Sequence, residues 1–259
     1  MTSQKKQIWL IGGTSESVEI AIALARQQLF CTITVATPTA QSLYPQSPFL
    51  RVLVGGLTGD RLHRFLQSQP IRAIVDASHP FASQISTRAI AAAARYNLPY
   101  LRYERPTLDL LPQNDNFVKV NNFETLLAED YLFGERVLLT VGYKNLPLFQ
   151  PWQEKSSLFA RILPSVNSIA VALAAGFSSD RLIALRPPIS AELEQALWQQ
   201  WNISLVVTKA SGQAGGENTK RIIATELGIK LIVIERPKII YPQQTSALQE
   251  VVAFCSREY

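Results

Sequence analysis

Short apolar runs alternate with amphipathic ones along most of the chain. Residues 8–11, 32–36, 50–54, 73–75 and 100–103 have the length and composition of buried parallel strands. Between them, residues 18–28 and about 82–96 place Ala and Leu on one helical face. The glycines of 55–59 break the third strand. Thr58 then predicts the cap of a helix through Gln67, with Asp60 and Arg61 in its first turn. Residues 107–135 are mixed: 108–116 carry Pro, Asn and Asp and read as a linker, and 117–120 as a returning strand. The alternation then resumes, with strands expected at 137–141, 158–162, 182–185, 205–207 and 231–234. Helices are expected at 168–175, 191–201 and 218–227. A last helical run, 245–256, packs back on one of the domains. Strand–helix alternation of this kind predicts mostly parallel sheets with right-handed crossovers.

Residues 74–106 and 205–237 are equally long and read alike. Each is an apolar strand, a loop of small polar residues, a helical run, a second apolar strand and a closing Glu-Arg-Pro. Two copies exclude a solenoid and point to a duplicated α/β unit. The expected fold class is therefore α/β: two Rossmann-like domains with mostly parallel sheets, related by internal duplication, with a ligand cleft between them. A length of 259 residues suits this division, as 1–107 and 108–259, with the boundary falling within 107–135.

Composition narrows the function classes. Hydrophobic residues are 47% and charged residues 17%, as in a compact enzyme rather than a disordered chain. No signal-peptide core and no run of about 18 apolar residues occurs, so a cytoplasmic protein without membrane spans is expected. Cys31 and Cys255 lie far apart and read as unpaired thiols in a reducing compartment. With two histidines and two cysteines, no metal site is expected. The net charge of +5 is not concentrated in any run. Together with the absence of nucleic-acid-binding motifs, it favours a small polyanion over nucleic acid. Nothing in the sequence sets the oligomeric state, and a monomer is compatible with it.

The candidate chemistry sits at strand ends. After the first strand comes Gly12-Gly13-Thr14-Ser15-Glu16, where glycines admit a phosphate and a helix N-terminus offers amides. The full G-x-G-x-x-G fingerprint is absent, and a tight turn capped by Ser15 is the plain alternative. The second strand is followed by Thr37 and Thr39 with no acid, which leans toward NADPH because a carboxylate would repel a 2′-phosphate. Asp76, Ser78 and His79 cluster after the fourth strand, at the ligand edge of a parallel sheet, with His79 as a candidate proton donor. The alternative there is that Ser78 caps the next helix. The matching loop of the second half carries Lys209, Ser211, Gly212, Gly215 and Gly216, a cationic, donor-rich composition suited to pyrophosphate or carboxylate. Arg102, Arg105, Arg161, Arg186 and Arg236 fall in or just after strands, as carboxylate recognition would require. For Arg105 and Arg236, an Arg–Glu pair within each Glu-Arg-Pro is the structural alternative.

In their order, GGTSE, DASHPFA, RYERP, ARILP, TKASG followed by GG and a Lys, and VIERP resemble the precorrin-6A reductase family of cobalamin (vitamin B12) biosynthesis over nearly the whole chain. One departure is that Gln213-Ala214 separate Ser211-Gly212 from Gly215-Gly216. The resemblance implies an oxidoreductase of corrin metabolism acting on a CH–CH group. It would reduce a macrocycle double bond of precorrin-6A, or its cobalt form, with NADPH and with NADH left open. Gly12, Gly13, Thr14, Ser15, Thr37, Ser78, Lys209, Ser211 and Gly212 would then hold the cofactor. Arg102, Arg105, Arg161 and Arg236 would hold the carboxylates of an anionic tetrapyrrole, and His79, Asp76 or a bound water would supply the proton. Two readings from other classes stay open beside it: a non-catalytic nucleotide or anion sensor, and a two-domain sugar-nucleotide-type transferase.

Overall fold

The structure, a computed structural model, describes residues 6–108 and 116–258. The expected linker 108–116 thus falls almost wholly outside the described residues. The chain forms two compact units, residues 1–106 with 238–259, and residues 107–237.

In the first unit the strands are β1 (Gln7–Ile11), β2 (Cys31–Val35), β3 (Leu50–Val54), β4 (Ile71–Asp76) and β5 (Tyr100–Tyr103). The helices between them are α1 (Ser15–Arg26), α2 (Pro38–Gln41), α3 (Gly59–Ser68) and α4 (Ser83–Tyr96). The second unit holds β6 (Phe117–Val120), α5 (Phe123–Ala128), β7 (Arg136–Leu139), β8 (Ser157–Ile162), α6 (Val166–Ala174) and β9 (Leu182–Ala184). It continues with α7 (Ala191–Gln200), β10 (Leu205–Lys209), α8 (Glu217–Leu227) and β11 (Lys230–Ile234). The chain then returns to the first unit with β12 (Gln244–Thr245) and α9 (Leu248–Glu258). The expectation that 108–259 forms the second domain is thereby corrected for 238–259. Residues 245–247 precede the last helix, and Thr245 pairs with Tyr103 at the edge of the first sheet.

Both sheets have six parallel strands. Their orders are β3-β2-β1-β4-β5-β12 and β9-β8-β7-β10-β11-β6. Each is the doubly wound 3-2-1-4-5 arrangement with one added edge strand. The repeated segments occupy the same places: β4-α4-β5 in one sheet and β10-α8-β11 in the other.

The first core shows why this sequence chooses a sheet covered on both faces. Alternate residues of a strand point to opposite faces. Ile8 and Leu10 pack with Ile20, Leu24, Val251 and Phe254, from α1 and α9. Trp9 and Ile11 pack with Leu62 and Phe65 of α3 and Ala92 of α4. A continuous apolar strand is the result. In the second unit, Leu138, Val206 and Val233 share one face with Trp198 of α7 and Ile223 of α8. A long 3-10 stretch, Tyr143–Trp152, lies between β7 and β8; Pro147 and Pro151 keep it from becoming an α-helix.

Candidate functional site

The ligand edge of a doubly wound sheet is the carboxyl end of its strands. In the first unit that edge begins with the turn from β1 to α1. Thr14, not Ser15, is the N-cap, which corrects the capping alternative. Its Oγ1 accepts from the Ser17 amide at 3.1 Å, and Ser17 Oγ accepts from the Thr14 amide at 3.0 Å, a reciprocal capping box. Thr14 Oγ1 also donates to the Ala77 carbonyl at 2.8 Å, tying the turn to the loop after β4. The hydroxyl expected to face a cofactor is therefore engaged within the protein. Ser15 is exposed and donates to Glu16 at 3.0 Å.

The two glycines of the turn have different reasons to be glycine. A Cβ on Gly12 would lie 2.2 Å from the Tyr44 hydroxyl, so the space is filled by the protein itself. That hydroxyl accepts from the Gly13 amide at 2.8 Å and bonds Ser17 Oγ at 2.6 Å; burial pushes the Tyr44 phenol's pKa up. Gly13 has φ +104°, a left-handed conformation, and a Cβ there would meet nothing within 4 Å. This is open backbone at the start of a twelve-residue helix whose first-turn amides of Ser15 and Glu16 have no helical carbonyl to bind. Gly13 with those amides fits a phosphate; Gly12 and Thr14 build the turn beneath. Thr37, at the end of β2, is exposed and caps α2 by accepting from the Ala40 amide at 3.2 Å.

The loop after β4 is anchored rather than open. Asp76 is fully buried. Its Oδ1 accepts from Arg102 Nη1 at 2.9 Å and from the Ser78 amide at 3.0 Å, and its Oδ2 from the Tyr100 hydroxyl at 2.8 Å. Arg102, also fully buried, donates Nε to Glu104 at 2.8 Å and Nη1 to Ser78 Oγ at 3.1 Å, with its guanidinium over the Tyr241 ring. Burial opposes the Arg102 charge, but Asp76 and Glu104 outweigh it and raise its pKa; burial and then Asp76 raise that of Tyr100. Both oxygens of Asp76 are thus hydrogen-bonded within the unit, and Arg102 is paired with Asp76 and Glu104, while its buried Nη2 has no hydrogen-bond partner among the described residues. Ser78 is buried and does not cap α4, whose N-cap is Ala82. His79 is half-buried, and its Nδ1 accepts from the Phe81 amide at 3.2 Å.

The remaining strand-end arginines divide. Arg105 pairs with Glu16 at 2.9 Å, while Glu104 accepts from Arg102. Arg161 pairs with Glu194, which also accepts from Trp198 Nε1 at 3.2 Å. Arg161 is thus engaged with a carboxylate of its own unit. Arg186 is exposed. Arg236 donates Nε to the Ala210 carbonyl at 2.8 Å and lines a small cavity of about 220 Å³ with Lys119, Arg221, Glu217 and Glu235.

In the second unit the loop after β10 turns on Gly212 (φ +71°) and Gly216 (φ +69°). Glu217 accepts from the Gly212 amide at 2.8 Å and pairs with Arg221 at 2.5 Å. Ser211 is buried, and a Cβ on Gly215 would lie 2.0 Å from its Oγ, so this close approach requires glycine. Lys209 ends β10, and its Nζ is 3.7 Å from where a Cβ on Gly142, after β7, would stand. It therefore lies between the first and fourth strands of its sheet, where the strand order reverses. Burial lowers its pKa to about 8. Lys220, buried, donates to the Gly215 and Gly216 carbonyls at 3.2 and 3.0 Å. Burial, then Arg161, lowers its pKa to about 8. Sequence reasoning passed over Tyr44, whose partners Gly13 and Ser17 are brought to it by the fold, and over Glu217.

Among the described residues no group of three or more His, Cys, Asp or Glu is placed to hold a metal. No helix among them is long and apolar enough to cross a membrane. Cys31 and Cys255 are free and buried.

Two doubly wound parallel sheets, the first with an open glycine turn between its first strand and helix, define a two-unit protein of the Rossmann-like class. Residues 7–256 match the model of the family described as precorrin-6x reductase CbiJ/CobK. The chain is 47% identical to the cobalt-precorrin-6A reductase of Synechocystis sp., over 99% of this chain and 98% of the relative. It is 34% identical to the cobalt-precorrin-6A reductase of Priestia megaterium, over 95% and 96%. The solved structure of CobK precorrin-6A reductase shares the fold, with a TM-score of 0.79 at 24% identity, covering 98% of this chain and 97% of that one. The chain belongs to the precorrin-6x reductase family, and is an oxidoreductase acting on a CH–CH group. That membership leaves the sensor and sugar-nucleotide-transferase readings without support.

Proposed function

We propose that the chain reduces one double bond of cobalt-precorrin-6A to the dihydro form, with NADPH as reductant, in the cytoplasmic assembly of cobalamin. The family match over residues 7–256 and the names of the two relatives above support the substrate. The observation that carries the cofactor assignment is Gly13, an open, left-handed glycine between β1 and α1 of a 3-2-1-4-5 sheet. When bound, a nicotinamide supplies the hydride. Gly13 and the first-turn amides of Ser15 and Glu16 receive the phosphates, and the end of β2 presents Thr37 rather than an acid. Lys209, Ser211 and Gly212 form the anion-binding loop of the second unit. Arg236, with its neighbour cations Lys119 and Arg221, faces a macrocycle carboxylate. The proton that accompanies reduction comes from solvent, since both oxygens of Asp76 already accept hydrogen bonds inside the protein.

The test is calorimetric binding of NADP⁺ to wild type and Gly13→Val, with anaerobic absorbance assays on cobalt-precorrin-6A. Wild type binds and turns over; Gly13→Val stays folded and loses at least about tenfold in affinity, roughly 1.4 kcal/mol. Normal NADP⁺ binding by the folded variant contradicts the phosphate assignment. A kcat/KM tenfold higher with NADH contradicts the cofactor preference, a discrimination of about 1.4 kcal/mol.

A further inference from the structure

The glycine turn between β1 and α1 is held by a side chain from another segment. Tyr44 follows α2, and it is buried in the first core with Ile33 and Val35 of β2. Its hydroxyl reaches back to the turn, where it accepts from the Gly13 amide at 2.8 Å and lies 2.6 Å from Ser17 Oγ. Ser17 Oγ in turn donates to the Thr14 carbonyl at 2.6 Å and accepts from the amides of Thr14 and Gly13 at 3.0 and 3.1 Å. A serine has one hydroxyl proton, and here the Thr14 carbonyl takes it. Tyr44 is therefore the donor to Ser17, and burial, which raises its pKa, keeps the phenol protonated for that task. The result is a directed chain, Tyr44 to Ser17 to the Thr14 carbonyl, with the Gly13 amide falling on both hydroxyl oxygens.

This chain fixes the peptide groups that shape the turn. The amides of Gly13 and Thr14 are taken up by hydroxyls of the protein, so those of Ser15 and Glu16, at the start of α1, are the ones left for a ligand. The turn is filled on one side, where a Cβ on Gly12 would collide with the Tyr44 hydroxyl, and open on the other, where a Cβ on Gly13 meets nothing within 4 Å. A backbone set before binding loses less entropy when the ligand arrives. Tyr44 also belongs to the segment that leaves β2 through Thr37, so one side chain ties two loops of the ligand edge together. We infer that Tyr44 is a positioning residue: its hydroxyl, acting through Ser17 and Gly13, holds the β1–α1 turn in the shape that receives a phosphate, without touching the ligand. The inference rests on the nicotinamide reading above and adds the residue that shapes its phosphate turn.

Tyr44→Phe keeps the ring and removes the hydroxyl. Calorimetric titration of the full chain with NADP⁺ should show at least about fivefold weaker binding than wild type. In turnover, KM for NADPH should rise by a similar factor while kcat stays within about twofold, because the hydroxyl acts on binding and not on hydride transfer. Thr32→Val removes another buried hydroxyl bond of the same unit, the one to Gln7, and should leave NADP⁺ affinity within about twofold of wild type. An equal loss of affinity in Thr32→Val makes the effect one of general destabilisation and overturns the inference. So does NADP⁺ binding by folded Tyr44→Phe that is within about twofold of wild type, or tighter. Should Tyr44→Phe fail to fold, Ser17→Ala cuts the same chain one step on and must show the same loss; normal binding by that variant overturns the inference instead. Failure of wild type to bind either NADP⁺ or NAD⁺ overturns the nicotinamide reading itself, and the inference with it.

Discussion

The loops after β4 and β10 occupy the same position in their sheets and solve the same problem in opposite ways. Each must hold a loop amide at the carboxyl end of a central strand. In the first unit the acid stands before the loop: Asp76 ends β4, catches the Ser78 amide, and pairs with Arg102, its register partner on β5. In the second the acid stands after the loop: Glu217 opens α8, catches the Gly212 amide, and pairs with Arg221 one turn along the same helix. The first anchor bridges two strands and the second lies within one helix. The last strand residue then differs in charge, Asp76 in one and Lys209 in the other. The register partner of Lys209 is Ile234, and burial lowers the Lys209 pKa. One repeated scaffold thus yields a rigid loop where charge is neutralised and a glycine loop beside a lysine poised to lose its proton.

The largest effect should come from breaking the strand-to-strand anchor. Asp76→Ala removes the fully buried counterion of Arg102 and should destabilise the protein by roughly 3–5 kcal/mol, read from urea unfolding. A loss below about 1 kcal/mol would make the anchor incidental, as for an exposed pair.

Next comes the floor of the glycine turn. Gly12→Ala drives a methyl into the Tyr44 hydroxyl and should cost about 1–3 kcal/mol. Tyr44→Phe in the same chain removes the oxygen and should recover part of that loss. If the double variant is as unstable as the sum of the single ones, the contact is not the cause.

The charge difference between the loops gives a pH signature. Lys209 and Lys220 hold pKa values of about 8 in the folded protein, below those of an unfolded lysine. Between pH about 8 and the unfolded value the unfolded chain binds more protons, so stability should rise with pH there. From pH 8 to 9.5 the gain should be on the order of 1 kcal/mol per lysine, and Lys209→Met should abolish its share. A wild-type stability that is flat or falls over that range, equally in the variant, contradicts the assignment.

The smallest effect is expected at His79. With Nδ1 already accepting from the Phe81 amide, His79→Ala should lower the single-turnover rate by less than about threefold. A fall of roughly 10²–10⁴, the range for general acids, would restore His79 as the proton donor.

Much of the fold was legible because buried parallel strands write themselves as short apolar runs. Residues 8–11, 50–54 and 100–103 lie within or match observed strands, and the repeat at 74–106 and 205–237 marks equivalent positions of two sheets. That the last helical run packs back on a domain was legible, but not that it returns to the first unit with 238–247. β12 is only two residues long, and α9 has the pattern of any surface helix. The strand-end loops stood out in the sequence, but the internal partners of their side chains did not. Arg102 and Arg161 look like substrate groups until the fold brings Asp76 and Glu194 to them, 26 and 33 positions away in sequence. Gly12 and Gly13 are adjacent and identical in sequence, and only the approach of Tyr44 separates a packing glycine from an open one.

The return of the chain also sets an order of assembly on the ribosome. Residues 107–237 are contiguous, so all six strands of that sheet are available once they have emerged. The first sheet has five of its strands far earlier, yet the outer side of β5 waits for Gln244–Thr245, and the face carrying Ile8 and Leu10 waits for Val251 and Phe254. An uncovered strand edge and apolar face are what chaperones and stray strands bind. The older half of the nascent chain is therefore the last to be finished, and it is exposed for the whole time its younger neighbour is being made.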